Sequence, residues 1–189
     1  RRRPALLQFH GDDRLVLGAG DDHASGGRGK DRVRGDDGAD VVSGDAGPDQ
    51  VYGGRGDDRV LGGSGSDFVQ PNDGDDRSWG GSGNDTMGVA MGDQRSPDRR
   101  PGDDDVFWGG PGDDSISDDS ARGRGYGGPG RDYLKFQGGT PLVDGGPGDD
   151  YVFVRTVAAA EITLGPGNDV LRMGAISPAD VATGWRLRV

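Results

Sequence analysis

From Gln8 onward the chain repeats itself every nine residues, and it keeps phase through nine blocks that begin at residues 8, 17, 26, 35, 44, 53, 62, 71 and 80. The blocks GGRGKDRVR from Gly26, GGRGDDRVL from Gly53 and GGSGSDFVQ from Gly62 show the pattern most clearly. The fourth position is always glycine: Gly11, Gly20, Gly29, Gly38, Gly47, Gly56, Gly65, Gly74 and Gly83. The sixth is always aspartate: Asp13, Asp22, Asp31, Asp40, Asp49, Asp58, Asp67, Asp76 and Asp85. Unstructured Gly- and Asp-rich sequence would slip out of phase within a few blocks. The period therefore limits the chain to an architecture in which each block adds one unit to a stack.

The eighth position reads Leu15, Ala24, Val33, Val42, Val51, Val60, Val69, Ser78 and Met87, with mostly polar residues before it. A polar, apolar, variable triplet predicts a short strand whose middle side chain points inward, because side chains alternate faces along a strand. Ala24 and Ser78 are the weak places in that row. With about six residues turning and three extended, the chain reverses every nine residues and closes one coil every eighteen. The expected fold is all-β, a right-handed parallel β-roll, or β-solenoid.

Such a roll has little apolar material to hold it. Glycine and proline number 40 and 11 of 189 residues, only 30% are hydrophobic, and the formal net charge is −11. One buried branched side chain per nine ordered residues returns far less than their ordering costs. The 33 acidic residues suggest what replaces a core, since all but Glu161 are aspartate. An acidic solvating tail would use glutamate freely, whereas a short carboxylate beside tight glycine turns suits a metal site.

After Met87 the pattern is disturbed. Residues 89–108, which include QRSPDRRPGDDD, amount to two nonapeptides plus two and read as an expanded loop within one roll or a seam between blocks. From Gly109 the frame resumes at 109, 118, 127, 136 and 145, but only alternate blocks carry the motif, supplying Asp114, Asp132 and Asp150. Gly123 and Pro141 stand where the intervening aspartates belong, so those blocks are expected to keep the shape of the roll without binding. LGPGNDVLR from Leu164 adds Asp169. The expected organisation is a first block over 1–88, an irregular stretch over 89–108, a second, one-sided block over 109–172 and a terminal cap over 173–189.

The repeat GGxGxDxUx, with U a large apolar residue, resembles that of the RTX calcium-binding proteins, also called haemolysin-type calcium-binding repeats. The resemblance covers roughly residues 8–172. In such rolls the turns stack in two columns, with an ion between neighbouring turns of a column. The resemblance implies one column of Asp13, Asp31, Asp49, Asp67 and Asp85. It implies a second of Asp22, Asp40, Asp58 and Asp76, continued by Asp114, Asp132, Asp150 and Asp169. Counting adjacent pairs gives about ten calcium ions. Calcium fits because it takes six to eight oxygens in irregular geometry, which carboxylates and turn carbonyls can supply, whereas magnesium demands a stricter octahedron.

Other classes fare worse. Without cysteine there is neither a disulfide framework nor a thiolate site for zinc. His10 and His23 fall in or beside repeat turns and read as exposed turn residues, and GxSxG, HExxH and P-loop patterns are missing, so no enzyme is expected. The acidic balance argues against a nucleic-acid partner, and no apolar run could form a transmembrane helix. The start at Arg1, without Met or a signal peptide, reads as a segment of something longer. The resemblance implies a secreted, extracellular, monomeric structural module that folds on calcium. Its alternatives are the C-terminal roll of a secreted protease or lipase, or an adhesion or surface-layer module making cell-surface or parent-domain contacts. Tyr52, Trp79, Trp108, Tyr126 and Phe153, at ninth positions, mark either such a contact surface or packing between coils.

Overall fold

The computed structural model describes residues 9–88, 104–119, 122–155, 159–174 and 186–188. Among them are nineteen β-strands and no helix. Each strand pairs in parallel with the next but one, so the strands alternate between a ten-stranded and a nine-stranded sheet. Arg14–Ala19 lies against Arg32–Asp37, with Leu15 opposite Val33, and Arg32–Asp37 in turn lies against Gln50–Arg55, with Val33 opposite Val51. Partners stand eighteen residues apart, the coil length expected from a nine-residue reversal. The molecule is a parallel β-solenoid.

The strands of the early coils are longer than the expected triplet. Those from Arg14–Ala19 to Arg77–Ser82 each have six residues, positions seven to nine of one block and one to three of the next. The turn proper therefore shrinks to positions four to six. Pairing continues past the triplet because position two adopts a left-handed backbone and absorbs the bend. Where it is not glycine it is Asp36, Asp45 or Asn72, with φ of 78°, 76° and 80°, the residue types that tolerate this region best. At position four of the third to ninth blocks the close stacking of turns leaves no room for a side chain. Gly38 has φ 144°, and a Cβ there would lie 2.5 Å from the carbonyl carbon of Gly20 in the coil before.

The eighth-position row forms the core as expected. Val33, Val51 and Val69 from one sheet meet Val42 and Val60 from the other, all fully buried, and Phe107, Ile116, Leu134, Val143, Val152 and Ile162 extend the row. Ser78 breaks it. Its neighbours along the sheet are Val60 and Phe107, and its hydroxyl is buried without a hydrogen-bond partner. An unsatisfied buried hydroxyl costs about 1–3 kcal/mol. Ser78→Val should therefore raise the calorimetric melting midpoint by roughly 3–8 °C, and a lower midpoint would mean that Phe107 leaves no room for two methyl groups.

The sheets run on across the disturbed stretch. Arg77 pairs with Val106 and Thr86 with Ser115, offsets of 29 rather than eighteen, so eleven extra residues enter one turn. Residues 89–103, with most of QRSPDRRPGDDD, lie outside the described residues, but the strands on either side stay paired within the same two sheets. Of the stretch expected to form a cap, the strand Arg186–Arg188 closes the larger sheet against Glu161–Thr163, and 175–185 and Val189 lie outside the described residues.

Ninth-position aromatics pack along the solenoid. Trp79 and Trp108 stack at 4.9 Å and Trp108 and Tyr126 at 5.8 Å, with planes within 8°. Tyr52 packs against Phe68 beneath the guanidinium of Arg32. Rings that cover one another's faces bind coil to coil, which favours the packing role for these four residues over a contact surface.

Candidate metal centre

Every sixth-position aspartate expected from the sequence lies in a turn, and the backbone joins these residues into two chains of hydrogen bonds. The N–H of Asp13 donates to Oδ1 of Asp31 at 2.8 Å, Asp31 to Asp49 at 2.7 Å, Asp49 to Asp67 at 2.8 Å and Asp67 to Asp85 at 2.9 Å. The same column continues through Asp85 to Asp114, Asp114 to Asp132, Asp132 to Asp150 and Asp150 to Asp169, at 2.8–2.9 Å. The second runs from Asp22 to Asp40, Asp58 and Asp76, and ends on Asp105.

Two expectations are corrected here. Asp114, Asp132, Asp150 and Asp169 belong to the first column, not the second, and it is the second that runs out. The stretch after Met87 holds one repeat and an eleven-residue insertion instead of two repeats and two residues, which changes the side on which the later aspartates emerge. The repeat within it carries Asp105, which the sequence reading passed over because Asp103, not glycine, holds its fourth position. Counting back nine residues from Gly109 reveals it, with Asp105 sixth and Phe107 eighth.

Beyond the first turn of each column the carboxylates accept a ladder hydrogen bond at Oδ1, and most of them bury Oδ2. Oδ2 of Asp13, Asp31, Asp40, Asp49, Asp58, Asp67, Asp85, Asp114, Asp132 and Asp150 is shut away from solvent without a hydrogen-bond partner. The free oxygens converge with backbone carbonyls over the glycines that open the turns. A Cβ on Gly26 would lie 2.6 Å from Oδ2 of Asp31 and 2.9 Å from the carbonyl oxygen of Gly44, one coil on. On Gly44 it would lie 2.5 Å from Oδ2 of Asp49 and 2.7 Å from the Gly62 carbonyl oxygen. First-position glycine thus leaves room for a side-chain and a main-chain oxygen from two coils to approach the same point.

Burial raises the proton affinity of these carboxyls. Asp58 and Asp132 are pushed up to about 7, and Asp49, Asp67, Asp85 and Asp114 to about 6, chiefly by desolvation. Asp40 and Asp150 move the same way for the same reason. The N–H donated from the preceding coil opposes the shift, and neighbouring aspartates reinforce it. A carboxylate kept ionised here requires a positive partner.

The donors fit a hard cation. Among the described residues no three acidic or imidazole side chains gather at one point, so any ion must take carbonyl oxygens alongside the carboxylates. Such a mixed all-oxygen set suits calcium better than a metal that prefers imidazole or thiolate. His10 and His23 are both exposed, on the outside of the roll.

No curated protein and no solved structure matches the chain. A family model described as the RTX calcium-binding nonapeptide repeat matches in four copies, over residues 11–42, 34–69, 72–87 and 102–123. The last match takes in Asp105 and Asp114, and the first-column ladder carries the pattern beyond it to Asp169. Together the matches span just over half of the sequence, and the chain belongs to the RTX calcium-binding nonapeptide repeat family.

Proposed function

We propose that the chain is a calcium-binding roll that folds on calcium and serves, outside the cell, as a structural module. The supporting observation is the row of buried carboxylate oxygens without partners, all but that of Asp13 beside a glycine-bared space that a carbonyl oxygen of the next coil also faces. Asp13, Asp31, Asp49, Asp67, Asp85, Asp114, Asp132, Asp150 and Asp169 would hold ions in the first column. Asp22, Asp40, Asp58, Asp76 and Asp105 would do so in the second. Neighbouring aspartates define eight intervals in the one and four in the other, slightly more than the ten ions counted from sequence. Bound calcium would supply the positive charge that these carboxylates lack and the free energy that the thin core does not. Affinities near the roughly 10⁻⁴–10⁻³ M of extracellular modules match millimolar calcium outside a cell.

Calorimetric titration tests the reading. Calcium should bind at close to one ion per interval, and magnesium at the same concentration should produce little heat. The affinity should also depend on acid, with a definite sign. The folded, ion-free carboxyls have raised pKa values, so their protonated form stabilises the roll below about pH 4, and that contribution is lost as pH rises through 6 to 7. Calcium needs the ionised form and competes with those protons. Its apparent affinity should fall steadily from pH 7.5 to pH 5, and an affinity independent of pH would mean that the buried aspartates are not the ligands.

A further inference from the structure

The two edges of the C-terminal coils are closed by different chemistry. On the first-column edge the turns open with Gly109, Gly127 and Gly145 and close with Asp114, Asp132 and Asp150, whose Oδ2 atoms are buried and unpartnered. On the other edge the pattern is inverted. Asp118, Phe136 and Val154 open the turns, and Gly123, Pro141 and Ala160 close them. The large side chain has moved to the first position and the small residue to the sixth.

Phe136 fills the resulting space. It is 1% exposed, and its register neighbours in the sheet are Asp118 and Val154, both equally buried. Its ring reaches across the coil to the opposite strand, Arg124–Tyr126. There a Cβ on Gly125 would meet Cζ and stand 2.7 Å from Cε2, whereas one on Gly123 would meet the buried Asp118 carboxylate first and stand 3.2 Å from Cε1. Gly125 is the glycine of the eighth-position row, where the other coils place a core side chain, so the ring takes that place, while the Asp118 carboxylate takes the interior of the Gly123 turn. One coil on, Val154 packs with Ala160 and Ile162 in the same cluster.

We propose that beyond the Asp118 turn the second edge of the roll is held by an apolar plug centred on Phe136 instead of by cations, so the coils closed there by Pro141 and Ala160 carry ions on the first-column edge only. This rests on the calcium reading of the intact columns. It goes beyond the missing aspartates, because it assigns Phe136 the part that an ion takes elsewhere.

Ion counting by native mass spectrometry, paired with melting curves in saturating calcium, tests it. Phe136→Ala should lower the melting midpoint by roughly 6–15 °C, the effect of truncating a buried aromatic, and leave the ion count at the wild-type value. Phe136→Leu, which keeps most of the volume, should fall between the two and guards against a variant that does not fold. Asp132→Asn, on the opposite edge of the same coils, should lose two ions. A reduced ion count in either Phe136 variant, or a midpoint within 2 °C of wild type in both, would overturn the plug. A wild-type chain that folds without binding calcium would refute the calcium reading, and the melting comparison alone would then decide the plug. A wild type that does not fold at all would overturn both.

Discussion

In chelator the chain should give the far-UV circular dichroism of a coil, and millimolar calcium should convert it cooperatively to β-structure. The core is one narrow row, mostly valines at its N-terminal end, and it includes Ser78 and Ala24 where other coils place larger side chains. Beside it, aspartates stack eighteen residues apart in two columns, and their mutual repulsion and desolvation oppose the fold. An ion that binds the folded turns and not the open chain contributes about 1.4 kcal/mol at tenfold excess over its dissociation constant. Over a dozen intervals that exceeds the roughly 5–15 kcal/mol by which domains are ordinarily stable. Magnesium should fail to substitute, because it holds its water and its octahedron too firmly. If β-structure persists in chelator, the interstrand hydrogen bonds and the plug suffice and calcium is only accessory.

Asp58→Ala should damage the roll far more than Asp57→Ala, although the residues are adjacent. Asp58 is buried in the middle of the second column. Its Oδ1 accepts the Asp40 N–H at 2.8 Å, its own N–H donates to Asp76, and its Oδ2 has no partner. Truncation removes a ligand from two intervals and strands a buried donor, a cost of about 1–3 kcal/mol before any ion is counted. The calcium midpoint for folding should rise at least fivefold and two ions should be lost. Asp57 lies on the surface, where it accepts the Asp75 N–H at 3.1 Å. An exposed hydrogen bond of that length is worth about 0.5–1.5 kcal/mol, so its midpoint should move less than twofold. Equal shifts would show that the sixth position is not the ligand row.

The contrast between these neighbours is legible in sequence, because phase alone separates Asp58 from Asp57. So are the alternation of sheets, the eighth-position core and the turns that lack aspartate at Gly123 and Pro141. Legibility ends where counting becomes ambiguous. Residues 89–108 can be divided as eighteen plus two or as nine plus eleven, and only strand pairing decides between them. The choice determines on which edge Asp114, Asp132, Asp150 and Asp169 emerge. Strand length was hidden for another reason: the triplet shows where side chains alternate, while the three residues that extend each early strand are mostly glycine or polar and pair through their backbone. The role of Phe136 was hidden too, since an aromatic at a first position shows its purpose only with Gly125 opposite.

The eighteen-residue offset between partners also sets how such a chain can change length. Removing or duplicating eighteen residues returns every later block to its own edge, with glycine-opened turns above glycine-opened turns and the Phe136 side above its own kind. A change of nine residues preserves the repeat in the sequence but moves everything after it to the opposite edge, setting Phe136 and Pro141 into a column of carboxylates. The eleven-residue insertion escapes this rule because the strands before and after it remain paired within the same two sheets. The unit of growth is therefore the double repeat, and the nonapeptide that stands out in the sequence is half of it.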